Sequence, residues 1–194
     1  MLTGKIFRPG ELVLIAALHP PAFEPGTDYS YSNTNYAVVG LIIEKVTGHS
    51  LGDELRTRLF HPMGLDHTTH PTSAQIPNPH PRGYYFLDGM GYLDVTTTSH
   101  PSAFWGSGDI ISNTADLATF YQALLSGKLL TPNLLKAMQT TAINATGEDT
   151  GYGLGLIRMT TPCGTAWGHG GNDPGYSNWI LNCPNGTHST TIMF

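Results

Sequence analysis

Apolar residues recur at helical spacing in several stretches of this chain. Leu12, Val13, Ile15, Ala16 and Leu18 predict a short helix over residues 10–19, stopped by His19-Pro20-Pro21. After the Pro25-Gly26 turn, the run from Tyr29 to Tyr36 is polar and aromatic, with no core period. Tyr36, Val39, Ile42, Ile43 and Val46 then mark one face of a strong helix, and Gly48 supplies its stop. Ser50 opens the next helix, with Asp53 three positions on and Leu51, Leu55 and Leu59 as its buried stripe; His61-Pro62-Met63-Gly64 ends it. Leu117, Phe120, Tyr121, Leu124 and Leu125 form the apolar face of a helix that starts near Thr114 and ends at Gly127. Thr131-Pro132 opens a short one running to Gln139.

Between these segments, residues 66–104 show no period and are expected to be irregular, wrapping the domain and contributing to a site. The last fifth changes character. Gly151 to Ile157 is glycine-rich and alternating, Cys163–His169 and Tyr176–Cys183 read as strands, and Asn185-Gly186 signals a hairpin into a last strand over 187–194. The expected division is a mainly helical part over residues 1–150 and antiparallel strands over 151–194. The expected class is α+β, a helical domain packed on an antiparallel sheet.

Composition narrows the function. Of 194 residues, 40% are apolar and only 12% charged, with 23 glycines and 14 prolines, so the chain is a loop-rich globular protein. Its formal charge is -5 and no Lys/Arg run occurs, which argues against a nucleic-acid partner. No apolar run reaches the ~18 residues of a membrane span, and Lys5 followed by Phe7-Arg8-Pro9 does not read as a signal peptide. Nine histidines invite a metal check. His67 and His70 stand near Asp66 without the spacing of a zinc motif, and His19, His61, His70, His80 and His100 each precede proline, which reads as turn chemistry. No metal and no cofactor is expected.

Three segments, in order and spacing, resemble the family of class C β-lactamases and D-alanyl-D-alanine carboxypeptidases. They are Pro25-Gly26-Thr27-Asp28-Tyr29-Ser30-Tyr31-Ser32-Asn33, then Gly151-Tyr152-Gly153-Leu154-Gly155, then His169-Gly170-Gly171 with Pro174-Gly175-Tyr176 after it. The resemblance covers residues 7–194 and implies the β-lactamase/DD-peptidase fold. It also implies acyl transfer to a serine followed by hydrolysis, on D-Ala-D-Ala peptides, β-lactams or esters.

By that resemblance Tyr31 and Asn33 match a Tyr-x-Asn motif. Tyr31 would relay protons between the serine and the leaving group, and Asn33 would hydrogen-bond the substrate amide; a plain helix cap is the alternative for Asn33. A phenol ionises near pH ~10 and serves as a base near neutrality only beside cations. His169 would place a hydrogen-bonding group near Tyr31. Gly170 and Gly171 would let the strand backbone approach substrate, and the Asn172 N–H would form half of an oxyanion hole. Trp105, within Phe104-Trp105-Gly106-Ser107-Gly108, would meet the substrate or serve packing. Family members often carry Thr or Ser where Gly170 stands, and a hydroxyl there binds the substrate carboxylate. Its loss leaves esterase or amidase activity open beside carboxypeptidase.

The family's serine opens a helix in a Ser-x-x-Lys motif. Lys5, Lys45, Lys128 and Lys136 follow Leu2, Ile42, Leu125 and Asn133 by three, so that pair does not occur in this sequence, and no Gly-x-Ser-x-Gly elbow replaces it. The expectation is a chain missing an N-terminal segment, with an incomplete sheet, inactive alone and prone to self-association unless that segment is supplied. A non-catalytic binding module and an enzyme with a relocated nucleophile, Ser107 being the tempting residue, are the alternatives. The family's habit implies secretion or a periplasmic location. It also suits a cross-strand disulfide between Cys163 and Cys183. Asn144-Ala145-Thr146 and Asn185-Gly186-Thr187 match the glycosylation pattern.

Overall fold

The structure is a computed structural model that describes residues 5–194. In chain order its elements are α1 (Pro9–Ala17), α2 (Asn33–Thr47), α3 (Leu51–Leu55) running into a π-helical turn (Arg56–Phe60), and β1 (Tyr84–Leu87) with β2 (Gly91–Asp94). A 3-10 turn (Pro101–Phe104), α4 (Thr114–Leu125) and α5 (Pro132–Met138) follow. Then come β3 (Ile157–Thr161), β4 (Gly164–Asp173), β5 (Tyr176–Asn182) and β6 (Ser189–Met193). The chain is α+β, and it forms two units. One takes residues through Pro20, Ser32–Ser112 and Asn172–Tyr176; the other takes Pro21–Tyr31, Asn113–Gly171 and Ser177–Phe194.

In the first unit the helix starts follow capping chemistry. The Ser32 hydroxyl accepts from the Thr34 N–H at 3.3 Å and caps α2, so Asn33 is the first helical residue and not the cap. Ser50 caps α3 by accepting from the Asp53 N–H at 3.1 Å. Leu51, Phe60 and Leu65 are buried around these turns. The face that α2 buries differs from the expected one. Ala37 and Gly40 are buried, whereas Val39, Ile42 and Val46 are 51%, 55% and 79% exposed. The reason is close approach: the Trp105 indole lies where a Cβ on Gly40 would come within 2.7 Å, so the small residues make the contact face. Within the stretch expected to be irregular, β1 and β2 form an antiparallel hairpin with Tyr84 opposite Asp94 and Leu87 opposite Gly91.

The second unit holds the sheet, in the order β3-β4-β5-β6. Ile157 pairs with Gly168 and Thr161 with Gly164; Asn178 pairs with Met193 and Asn182 with Ser189. Helix α4 packs on β6. Tyr121, Leu124 and Leu125 of α4 join Leu156, Trp167 and Ile180 in one buried cluster. Each large side chain so buried contributes about 1.5–3 kcal/mol. The buried Asn182 donates its Nδ2–H to the Trp167 carbonyl at 3.2 Å, tying β5 to β4. Strand β4 runs on to Asp173, beyond the expected end at His169, so Pro174-Gly175 makes the turn into β5. Cys163 lies exposed in the turn between β3 and β4 and Cys183 follows β5. Both are free thiols, and the expected disulfide is not formed.

Candidate active site

The motif loop before α2 is held by its own acid. The Asp28 carboxylate accepts from the Tyr29 N–H at 2.7 Å and from the Ala145 N–H at 2.8 Å. Those two donors, Ala145 first, hold its ionisation below the ordinary carboxylate range. The loop from Ala142 to Tyr152 that receives this contact is pinned in turn. Ile143 bridges Asp149, and the Asp149 carboxylate accepts from the Arg158 guanidinium at 2.6 Å. Tyr31 follows directly, immediately before the cap of α2, with 44% of its surface exposed.

Against this loop stand Tyr152 and His169. The ring centroid of Tyr31 is 5.5 Å from that of Tyr152, edge-on, and 6.0 Å from that of His169. Tyr152 and His169 are 5.7 Å apart at 84°, and Tyr29 packs on the far side of Tyr152 at 5.6 Å. The histidine ring is engaged at both nitrogens. Its Nδ1 lies 2.6 Å from the Gly170 carbonyl oxygen and its Nε2 lies 3.3 Å from the Tyr152 hydroxyl. A carbonyl only accepts, so Nδ1 carries the proton, and in the neutral ring Nε2 accepts from the phenol. The sequence motifs put Tyr31 and His169 forward; Tyr152 joined them only through the fold. Its signal was an aromatic residue between two glycines, which says nothing of what the ring touches.

The glycines after His169 are dictated by β5. A Cβ on Gly170 would come within 2.9 Å of the Trp179 ring, and one on Gly171 within 2.5 Å of the Asn178 side chain. A larger side chain at the first of these positions, such as the Thr or Ser that the resemblance implies, would meet the Trp179 ring. Tyr31, His169, Gly170 and Gly171 belong to the second unit; Asn33, Trp105 and Asn172 belong to the first. Asn33 is exposed on the first turn of α2, Asn172 is exposed on β4, and Trp105 packs across Gly40. Ser107 donates its hydroxyl to the Phe104 carbonyl at 2.9 Å, which is turn chemistry.

The first unit also holds a buried pair that the sequence concealed. His70, one of the His-Pro histidines read as turn chemistry, sets its Nε2 3.0 Å from Asp109 Oδ2, and both side chains are nearly inaccessible. The hydrogen bond that His70 donates to the Asp109 carboxylate raises its ionisation above the ordinary value, against the opposing effect of burial.

Comparison with known proteins bears on this geometry. The sequence profile of the family described as Beta-lactamase matches residues 5–194. A penicillin-binding protein of Bacillus subtilis is 28% identical over 189 residues, covering 89% of this chain and 40% of its own length. A D-aminopeptidase of Cereibacter sphaeroides is 26% identical over 188 residues, covering 96% of this chain and 36% of its own. Among solved structures, a D-stereospecific amidohydrolase from Streptomyces sp. superposes with a TM-score of 0.91 at 39% identity, over 98% of this chain and 57% of that one. The D-amino acid amidase of Ochrobactrum anthropi SV3, complexed with L-phenylalanine amide, gives 0.86 at 28% identity, over 100% of this chain and 57% of that one. The chain thus spans less than two thirds of the length of these relatives.

Proposed function

This chain belongs to the Beta-lactamase family, and from that membership we propose that it carries the proton-relay side of a serine acyl-transfer site acting on amides of D-amino acids. Its fold is that of the serine β-lactamase and DD-peptidase proteins, with D-aminopeptidases and D-amino acid amidases among its neighbours. The observation that carries the amide reading is the Trp179 ring over Gly170. A carboxypeptidase substrate ends in a free carboxylate, and a hydroxyl at this position is what would bind it. Glycine brings no hydroxyl there, so that partner is absent, and an anion left without a partner is costly. An amide leaving group brings no such charge.

In this reading a serine oxygen attacks the amide carbonyl carbon, the C–N bond breaks, and the serine proton passes through Tyr31 to the departing ammonia. Water then hydrolyses the ester to release the D-amino acid. His169 stands beside Tyr31, its ring held between the Gly170 carbonyl and the Tyr152 hydroxyl. The roles that the resemblance implies for Asn33 and for the Asn172 N–H belong to the same proposal. No Ser-x-x-Lys pair occurs in the sequence, and in this proposal the nucleophile is supplied by other polypeptide. A chimera joining this chain to the remainder of the Streptomyces amidohydrolase tests the reading. It should hydrolyse D-phenylalanine amide in preference to a D-Ala-D-Ala peptide. Tyr31→Phe should lower kcat by about 10²–10⁴-fold, the usual worth of a positioned acid or base. Preference for the free-carboxylate peptide would overturn the amide reading.

A further inference from the structure

We propose that Tyr152 is a positioning residue that sets the tautomer and orientation of His169 and supports the ring of Tyr31. The inference rests on the acyl-transfer reading for its purpose, but on independent geometry for its content. The Tyr152 ring meets Tyr29, Tyr31 and His169 together, with ring centroids at 5.6, 5.5 and 5.7 Å. Its hydroxyl is within 3.3 Å of His169 Nε2, while Nδ1–H is directed at the Gly170 carbonyl at 2.6 Å. A phenol donating to Nε2 favours the tautomer whose proton is on Nδ1, and the two bonds together leave the imidazole one orientation about its χ2 axis.

The backbone of Tyr152 is itself fixed. Its N–H donates to the Thr150 hydroxyl at 3.2 Å, and Tyr152 bridges Ile157 at the start of β3. The next residue is held against α5: a Cβ on Gly153 would meet the Met138 carbonyl oxygen at 2.1 Å, so only glycine permits this approach. The ring therefore projects from a backbone held by contacts on both sides. Two tyrosines then divide the labour. Tyr31 is exposed, and Tyr152, half-buried beside it, acts through its neighbours.

The test uses the chain itself and needs no turnover. Two-bond ¹H–¹⁵N correlation spectra at alkaline pH should show His169 of the wild-type protein as a single Nδ1–H tautomer whose Nε2 signal is that of a hydrogen-bonded acceptor. A nuclear Overhauser contact should link the Tyr152 ring protons to His169 Hε1. In Tyr152→Phe, which retains the ring, the Nε2 signal should move to the position of an unbonded acceptor and the imidazole signals should broaden as a second orientation is populated. Tyr29→Phe should leave the His169 signals unchanged. Identical His169 spectra in the wild type and Tyr152→Phe, or an Nε2–H tautomer in the wild type, would overturn the proposal. Should Tyr152→Phe not fold, the wild-type tautomer and the Overhauser contact decide it alone. A substrate preference against the amide reading would leave this spectroscopic result standing, so the two failures are separable.

Discussion

Helices α2 and α4 carry the same kind of apolar stripe and meet opposite fates. In α4, Tyr121, Leu124 and Leu125 are buried in one cluster with the sheet residues Leu156, Trp167 and Ile180. In α2, Val39, Ile42 and Val46 stand exposed while Ala37 and Gly40 face the packed side, and α1 buries no residue at all. A helical period locates an apolar face; it does not say that a partner covers it. The sheet meets α4's face within its own unit. Val39, Ile42 and Val46 meet no comparable cover among the described residues.

This contrast can be broken by truncating each stripe. Leu124→Ala opens a hole in a formed core and should cost about 2–5 kcal/mol in denaturant unfolding. Ile42→Ala should change stability by no more than about 0.5 kcal/mol. A large loss at Ile42 would mean that the α2 face is packed in solution. Gly170→Thr comes next in size. The added side chain meets the Trp179 ring, and overpacking of this kind costs about 1–3 kcal/mol. Trp179→Ala in the same chain should restore most of it, which a double-mutant cycle reads directly.

The buried pair of the first unit has the smaller effect, and it depends on pH. His70 has its folded ionisation raised, chiefly by the hydrogen bond to Asp109. Its contribution is therefore fully present below the ordinary histidine value of about 6.5 and is lost as pH rises through the raised value. Unfolding free energy measured between pH 5 and 9 should carry this decline. Asp109→Asn should flatten it, and a decline that persists in Asp109→Asn would assign it elsewhere.

Much of this architecture was legible from local chemistry. Ser50 marks the start of α3 because its cap is a contact of a few residues, Pro132 marks that of α5 by its fixed backbone angle although the Thr131 side chain makes no cap, and Asn185-Gly186 marks the turn before β6 locally too. Where the outcome depends on distant residues, the pattern misled. Val39, Ile42 and Val46 look like core because size and period suggest it, but Trp105 and Gly106, far along the chain, pack against Gly40 and Ala37 instead. The β1–β2 hairpin passed as irregular because Tyr84-Tyr85-Phe86-Leu87 does not alternate, although Asp88-Gly89 between apolar runs was a usable turn signal. Within the site, the motif spacing named Tyr31 and His169. The hub between them, Tyr152, and the constraint of Trp179 on Gly170 are tertiary facts that no window of sequence contains.

We propose that Tyr31 and His169 are relay residues of an acyl-transfer site whose nucleophile is not on this chain. This is tested most directly by incubating the purified chain with a fluorescent penicillin and measuring the intact mass. The account predicts no covalent adduct. A stoichiometric adduct, mapped to any serine of the chain, would contradict it.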